Sequence, residues 1–273
     1  MVGDEAGRRI AGLLAGGRVV VLTGAGLSTG CGIPDYRDRE GRWKRAQPVS
    51  HQDFVRSEAA RRRYWARSYF GWPTLAEAQP GPGHRALEHL QSEGRISALV
   101  TQNVDGQHQK AGSEPVLELH GGIGRVVCLA CGHALSRRAM QERLREANPR
   151  IEATAAAAPD GDADIAEALH AGFEVPACAA CGGVLKPDVV FFGDSVPKPR
   201  VGAVMAAIEA AAGLLVVGSS LMVYSGFRFA EQAHQIGRPV MAINLGRTRA
   251  DHLLAAKVER DCGEFLAALG TPA

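Results

Sequence analysis

The chain predicts an α/β fold, a Rossmann-like parallel sheet carrying a smaller inserted module. Three observations carry this reading. Short apolar runs alternate with helical patterns along most of the chain. Several of those runs end in small or polar residues, and in parallel sheets ligands bind in the crevice beyond such strand ends. Between Cys128 and Cys181 the character changes: two C-x-x-C pairs flank the alanine-rich stretch Ala153 to Ala158 and the acidic stretch Pro159 to Asp164.

Val19-Val20-Val21-Leu22-Thr23 is a continuous β-branched apolar run, the pattern of a strand buried on both faces. The turn after it holds Gly24, Ala25 and Gly26, and exposed N–H groups on such a turn suit a pyrophosphate. Its glycines fall at Gly24, Gly26 and Gly30, so Thr29 stands where the usual dinucleotide fingerprint has its third glycine. Nor does a strand ending in an acidic residue follow at about 20 positions, as hydride-transfer domains require. The chain runs instead through Ile33-Pro34-Asp35-Tyr36-Arg37 into the polar loop Asp38-Arg39-Glu40-Gly41-Arg42, which is read as functional.

Residues from about 43 to 82 read as a helical insertion. It contains the basic, aromatic stretch Arg61-Arg62-Arg63-Tyr64-Trp65-Ala66-Arg67 and closes on the turn Gln79-Pro80-Gly81-Pro82-Gly83. Ile96 to Thr101 and Val116 to Leu119 are the next strands. The first opens onto Gln102-Asn103-Val104-Asp105-Gly106, a density of hydrogen-bonding side chains that marks either a binding loop or an ordinary Asn/Asp turn. The second ends at His120, before Gly121-Gly122. Histidine titrates near neutrality, and a strand end facing a crevice leaves it reachable, so His120 is the candidate base. Leu214 to Gly218 and Val240 to Asn244 complete the sheet, ending in Gly218-Ser219-Ser220 and Asn244-Leu245-Gly246.

Cys128, Cys131, Cys178 and Cys181 each sit in a pair that places two thiolates on one tight turn, and two such turns supply the tetrahedral sulfur set zinc prefers. A redox-active pair and four unrelated core cysteines are the alternatives. The 46 residues between Cys131 and Cys178 exceed ordinary zinc-ribbon spacing, so the ribbon carries an excursion. Four protein ligands close the coordination sphere, which makes the ion structural. Cys31 and Cys262 are left as small apolar residues.

At 273 residues, 46% hydrophobic and 22% charged, the chain is of ordinary globular composition, and its near-neutral net charge of +2 disfavours nucleic acid or an anionic membrane as partner. The first residues carry acids and no apolar core of a secretory signal, and no apolar run approaches the roughly 18 residues of a membrane span, so a soluble cytoplasmic protein is expected. Nothing in the sequence fixes the oligomeric state.

Taken together the motifs resemble the sirtuins, the NAD-dependent protein deacylases. They run in order as GAGLSTGCGIPDYR from Gly24 to Arg37, TQNVDG from Thr101, LHGG from Leu119, the two C-x-x-C pairs, KPDVVFFGD from Lys186, VGSSL from Val217 and INLG from Ile243. The chain is most similar to the class II branch, of the mitochondrial sirtuin 4 type, through Asp53-Phe54-Val55-Arg56, the Arg63 to Arg67 stretch and the long insertion before Cys178. It departs from the family at Tyr36, usually Phe, and at Gln107, commonly Leu.

The resemblance implies one catalytic domain: an NAD-binding part (about 1–42, 83–122 and 187–273), the helical insertion (about 43–82) and a zinc module (about 123–186). It implies transfer of an acyl group from a lysine to ADP-ribose, with nicotinamide released and NAD consumed. His120, Asn103 and Asp105 would be catalytic. Gly24, Ala25, Gly26, Pro34, Asp35, Tyr36 and Arg37 would lie on the phosphate and nicotinamide side, and Gln102, Asn103, Val104 and Asp105 around the nicotinamide and its ribose. Gly218, Ser219, Ser220, Asn244, Leu245, Gly246 and Cys262 would hold the adenosine half. Val190, Phe191 and Phe192 would give an edge strand onto which an acyl-lysine peptide adds. Arg61, Arg62, Arg63 and Arg67 suggest acyl groups larger than acetyl, including ones ending in a carboxylate. An ADP-ribosyltransferase and a dehydrogenase are the alternative enzymes, and a non-enzymatic nucleotide-sensing or zinc-binding module is the alternative outside enzymes.

Overall fold

The computed structural model describes residues 4–44, 48–151, 156–158, 161–164 and 168–269. Its main sheet is parallel, with six strands in the order β11-β10-β9-β1-β2-β3, where β1 is Val19–Thr23, β2 Ile96–Thr101, β3 Val116–Glu118, β9 Gly213–Val217, β10 Val240–Ile243 and β11 Leu254–Val258. All five strands expected from the sequence are present, within one residue at either end. β11 was not foreseen, because Leu254-Ala255-Ala256-Lys257-Val258 carries a lysine and is only partly buried at the sheet edge.

The β-branched run of β1 is buried along its whole length because both faces of the sheet are covered. Val19 and Val21 pack on one face with Ile10 and Leu14 of α1 (Glu5–Gly16), Leu87 of α5 (Pro82–Ser92) and Phe265 of α11 (Cys262–Leu269). Val20 and Leu22 pack on the other with Val204 and Ile208 of α9 (Lys198–Ala210) and Phe227 and Ala230 of α10 (Tyr224–Gln235). Period-two side chains thus feed two separate cores from one strand. The chain adds β2 and β3 on one side of β1 and β9 to β11 on the other. The topological switch therefore falls between β1 and β9, where open α/β sheets bind ligands.

A second, antiparallel sheet is built from β4 (Gly121–Cys128) between β5 (Ala134–Ser136) and β8 (Leu185–Val189). Its core is shared with the helical insertion. Phe54 of α3 (His51–Arg56) and Trp65 and Ala66 of α4 (Glu58–Glu77) pack with Val126, Met140, Leu144, Phe173, Leu185 and the cysteines Cys128 and Cys178. Trp65 Nε1 donates to the carbonyl of Leu185 at 3.2 Å. Helical insertion and cysteine module, separate in the sequence, form one small lobe.

Arg137 is 1% exposed and pairs with no carboxylate among the described residues. It donates to Ser68 and Gln141 and lies over the rings of Trp65 and Trp72, which makes its burial tolerable. Ala156–Ala158 and Asp162–Asp164 form a hairpin of β6 and β7 against α4, with Asp162 paired to Arg67 at 2.8 Å. The remainder of the alanine-rich and acidic stretches lies outside the described residues. No helix among them is long and apolar enough to cross a membrane.

Candidate active site

The carboxyl ends of β1, β2 and β9 are laced together by backbone bonds. Gly24 N–H donates to Val217 O (3.0 Å), Gly26 N–H to Gly218 O (2.8 Å) and Gln102 N–H to Thr23 O (3.0 Å). A Cβ on Gly24 would come within 2.7 Å of the Ser219 side chain, and one on Gly26 within 2.9 Å of the Gly218 carbonyl, so both positions accept only glycine. The turn lies open to a cavity of ≈ 480 Å³, well within the range of about 300–1,000 Å³ typical of small-molecule sites.

Of the residues expected to bind the cofactor, Gly24, Ala25, Gly26, Asp35, Tyr36, Arg37, Gln102, Asn103, Val104, Gly218, Ser219, Ser220, Asn244 and Leu245 line this cavity, as do His120, Val190, Phe191 and Phe192. Pro34, Asp105, Gly246 and Cys262 do not. Asp105 acts one shell back: Ser28 Oγ donates to its carboxylate at 2.7 Å and accepts from Asn103 Nδ2 at 3.1 Å, while Asn103 Nδ2 also donates to Gly24 O. Cys262 reaches the turn through its Sγ on the Gly26 carbonyl, and burial pushes its thiol up to about 12, so it is no nucleophile. Gly246 receives the loop that contains Tyr36 and Arg37, since Arg247 N–H donates to Arg39 O at 2.7 Å. That loop carries no strand; Arg37 stacks over Trp43 at 4.1 Å, and Tyr36, Trp43 and Phe192 meet edge to face.

His120 is held at both nitrogens. Nδ1 lies 2.9 Å from Gln102 O and Nε2 lies 2.8 Å from Ser225 Oγ. A carbonyl can only accept, so Nδ1 carries the proton and the basic lone pair is on Nε2. Burial lowers the affinity of His120 for a second proton, and the Arg200 and Arg228 guanidiniums push the same way against the Gln102 bond.

Two expectations need correction. The peptide-pairing edge was placed at Val190 to Phe192, but the strand ends at Val189. Beyond it Val190 N–H is spent on His120 O, and Phe192 O accepts from His51 N–H. The four arginines lie away from the cavity. Arg61 caps the carbonyls of Phe54 and Val55, Arg62 pairs with Glu58, Arg67 with Asp162, and Arg63 is exposed. Gln107, one of the two departures from the family, is fully buried and donates to Ala78 O.

Sequence reasoning also passed over Ser28, Ser225 and Arg228, together with a buried pair beneath the binding loop. His84 and His108 are 0% and 1% exposed, with ring centroids 4.8 Å apart. His108 Nε2 meets Thr23 Oγ1 at 2.9 Å, and His84 Nδ1 meets Cys31 Sγ at 3.5 Å. Burial lowers their pKa values from 6.5 to about 4 for His84, against the pull of Asp105, and to about 3 for His108. Below pH 6.5 the unfolded chain therefore binds protons that the folded chain refuses. This stabilisation is complete above about pH 6.5 and is lost as pH falls towards 4. The melting temperature is expected to drop steadily across that window, and His108→Gln to flatten the drop. A melting temperature that is level from pH 7 to 4.5 would contradict it.

The four remaining cysteines meet as the spacing required. Their sulfurs all lie within 4.8 Å of one another, Cys128 beside Cys181 at 3.5 Å and Cys131 beside Cys178 at 3.8 Å. Four sulfurs at this separation fit a tetrahedral ion and leave no position for water.

A switch-point cleft with a glycine-only turn, a histidine held at both nitrogens on its wall and a four-cysteine lobe beside it defines a nucleotide-using α/β enzyme. Residues 24–225 match the Sir2 family. An NAD-dependent protein deacetylase of Xanthomonas axonopodis pv. citri is 53% identical over 256 residues, 93% of this chain and 87% of its own length. NAD-dependent protein deacetylase 1 of Streptomyces coelicolor is 49% identical over 258 residues, 94% and 86% of the two chains. Among solved structures, a Sir2 with a p53 peptide and NAD+ superposes with a TM-score of 0.78 at 27% identity, and a Sir2 bound to acetylated peptide with 0.75 at 27%, each covering 96% of both chains. The chain belongs to the Sir2 family. It is a sirtuin, an NAD-dependent enzyme, and its cysteine cluster suits one structural zinc.

Proposed function

We propose that this chain is a protein lysine deacylase that passes the acyl group from lysine to the ADP-ribose part of NAD and releases nicotinamide. One observation carries the reading: His120, with its lone pair on Nε2, lines the same cavity as the glycine-only turn and the Phe191–Phe192 wall. The names of the curated relatives and the peptide and NAD+ held by the similar Sir2 structures support it.

When bound, the dinucleotide supplies an electrophilic sugar carbon and a leaving base. The chain's own residues do the rest. The side-chain-free Gly24 to Gly26 turn lets phosphates approach the backbone closely at the cavity wall, and Ser219, Ser220 and Asn244 suit the far half. Asn103, locked by Ser28 and Asp105, presents a rigid polar end to the inner cavity. His120 accepts a proton at Nε2, and Gln102 O steadies the resulting imidazolium through Nδ1–H. Val190, Phe191 and Phe192 form the wall along which the acyl-lysine enters.

The finer part of the proposal is that acyl groups larger than acetyl are handled at least as well as acetyl. Its support is the apolar lining of Val104, Val189 and Phe191, with Val104 backed by Ile33, Leu75 and Ile123. A similar Sir2, 27% identical, has been solved with a propionylated peptide. Since the four arginines turn elsewhere, apolar chains are favoured over carboxylate-ended ones. The test is kcat/KM on acetyl, propionyl, octanoyl and succinyl forms of one peptide with NAD, products identified by mass spectrometry. Longer apolar chains should match or exceed acetyl and succinyl should trail. A clear preference for acetyl overturns the acyl reading, and absence of any NAD-dependent deacylation overturns the whole.

A further inference from the structure

We infer that Ser225 is a proton-relay residue, standing between the basic atom of His120 and the hydroxyl group that His120 deprotonates. The inference rests on the function proposed above and assigns a part in it to a side chain 105 positions away in sequence.

The geometry leaves His120 little choice. Its Nδ1 proton is committed to Gln102 O at 2.9 Å, so a neutral ring has a single acceptor site, the in-plane lone pair of Nε2. Ser225 Oγ stands 2.8 Å from that atom, and with no proton on Nε2 it is the serine hydroxyl that donates. The base therefore meets the cavity through Ser225, which lines the same cavity. A serine hydroxyl that donates its one proton keeps two lone pairs, and these can accept from an incoming hydroxyl.

The transfer balances without any other reactant. The incoming hydroxyl gives its proton to Ser225 Oγ while the Ser225 proton moves to Nε2; the serine ends neutral, the histidine becomes imidazolium, and the incoming oxygen is left as the nucleophile. Ser225 stands on the first turn of α10, anchored where Gly226 and Phe227 N–H bond back to Val223 O, so the hydroxyl is held by backbone. Gly226 beside it is packed against Gln102, the residue whose carbonyl fixes the other side of the ring. Two guanidiniums, of Arg200 and Arg228, flank the histidine and favour its neutral form, the one that accepts. Arg228 Nε is buried without a hydrogen-bond partner, so its charge is not quenched by a bonded carboxylate there.

The test uses Ser225→Ala and Ser225→Thr in the whole protein, with two readouts. Without NAD or peptide, carbethoxylation of His120 by diethyl pyrocarbonate is followed by mass spectrometry of its peptide. The serine hydroxyl caps the reactive lone pair, so Ser225→Ala should label severalfold faster than wild type and Ser225→Thr at the wild-type rate. In turnover, Ser225→Ala should lose about tenfold or more in kcat, part of the roughly 100-fold to 10,000-fold a general base supplies, with KM for NAD and peptide unchanged, and Ser225→Thr should restore it. An unchanged labelling rate in Ser225→Ala, or a kcat within twofold of wild type, overturns the relay. Failure of the wild type to deacylate any peptide would instead count against the proposed function, and the labelling result would still report on the hydrogen bond.

Discussion

Replacing Cys181 by serine is expected to remove the zinc and unfold the small lobe. Metal analysis of the wild type should give one zinc per chain, and of the variant close to none. A structural thiolate zinc contributes on the order of 10 kcal/mol, as large as the stability of a whole domain. The loss should not stay at the surface. Cys128 and Cys178 are buried in the core that joins Phe54 and Trp65 of the helical insertion to Val126 and Leu185 of the antiparallel sheet. Release of the ion should therefore loosen α3 and α4 as well as the cysteine turns. The two cores of the parallel sheet contain none of the four zinc-site cysteines and should persist longer. Hydrogen exchange would show this as early loss of protection over α4, and thermal unfolding as a new low-temperature transition. A metal-free protein with the wild-type melting curve would end the assignment.

His120→Ala should lower kcat by about 100-fold to 10,000-fold while the protein still binds NAD, because the ring contributes a proton acceptor and little else to the cleft. The Gln102 carbonyl it leaves behind is already within the loop laced to Thr23 O, so the strand ends keep their arrangement. The pH profile of the wild type carries the second half of this prediction. Burial, reinforced by Arg200 and Arg228, holds His120 below the ordinary value of 6.5, so the lone pair survives into mild acid. The acid limb of kcat/KM should accordingly fall below pH 6.5, and Arg228→Gln should move it upward. Turnover by His120→Ala at the wild-type rate would place the base elsewhere.

Ser225 illustrates what could not be read in advance. It follows Tyr224 in an unremarkable VYSGFRF run, and no spacing rule links it to His120; only the packing of α10 against β9 and β10 sets its hydroxyl on Nε2. Ser28 is similar. It sat inside a quoted motif, yet its service to Asn103 and Asp105 depends on two chain segments 75 and 77 positions apart. Gly24 and Gly26, by contrast, were legible as a glycine turn after a buried strand, although what forbids a side chain there is the packing of Gly218 and Ser219 from the end of β9. The arginines of α4 misled because sequence shows charge and period but not direction: Arg61, Arg62 and Arg67 project on different sides of the helix, to α3, Glu58 and the β7 hairpin.

By itself the sequence determined the parallel sheet, the glycine turn after its first strand, the paired cysteines and the histidine at a strand end. Each of these is written in residues close together, through strand period, backbone sterics or the bite of two thiolates on a turn. The tertiary structure alone decided that the helical insertion and the cysteine module share one core, that Asp105 is bonded through Ser28 to Asn103, and that the four arginines leave the cavity. It also decided that Ser225 Oγ stands against Nε2 of His120. These outcomes depend on side-chain direction and on contacts between distant segments, which are settled when surfaces of matching shape exclude water together and carry no signature in any short stretch of chain.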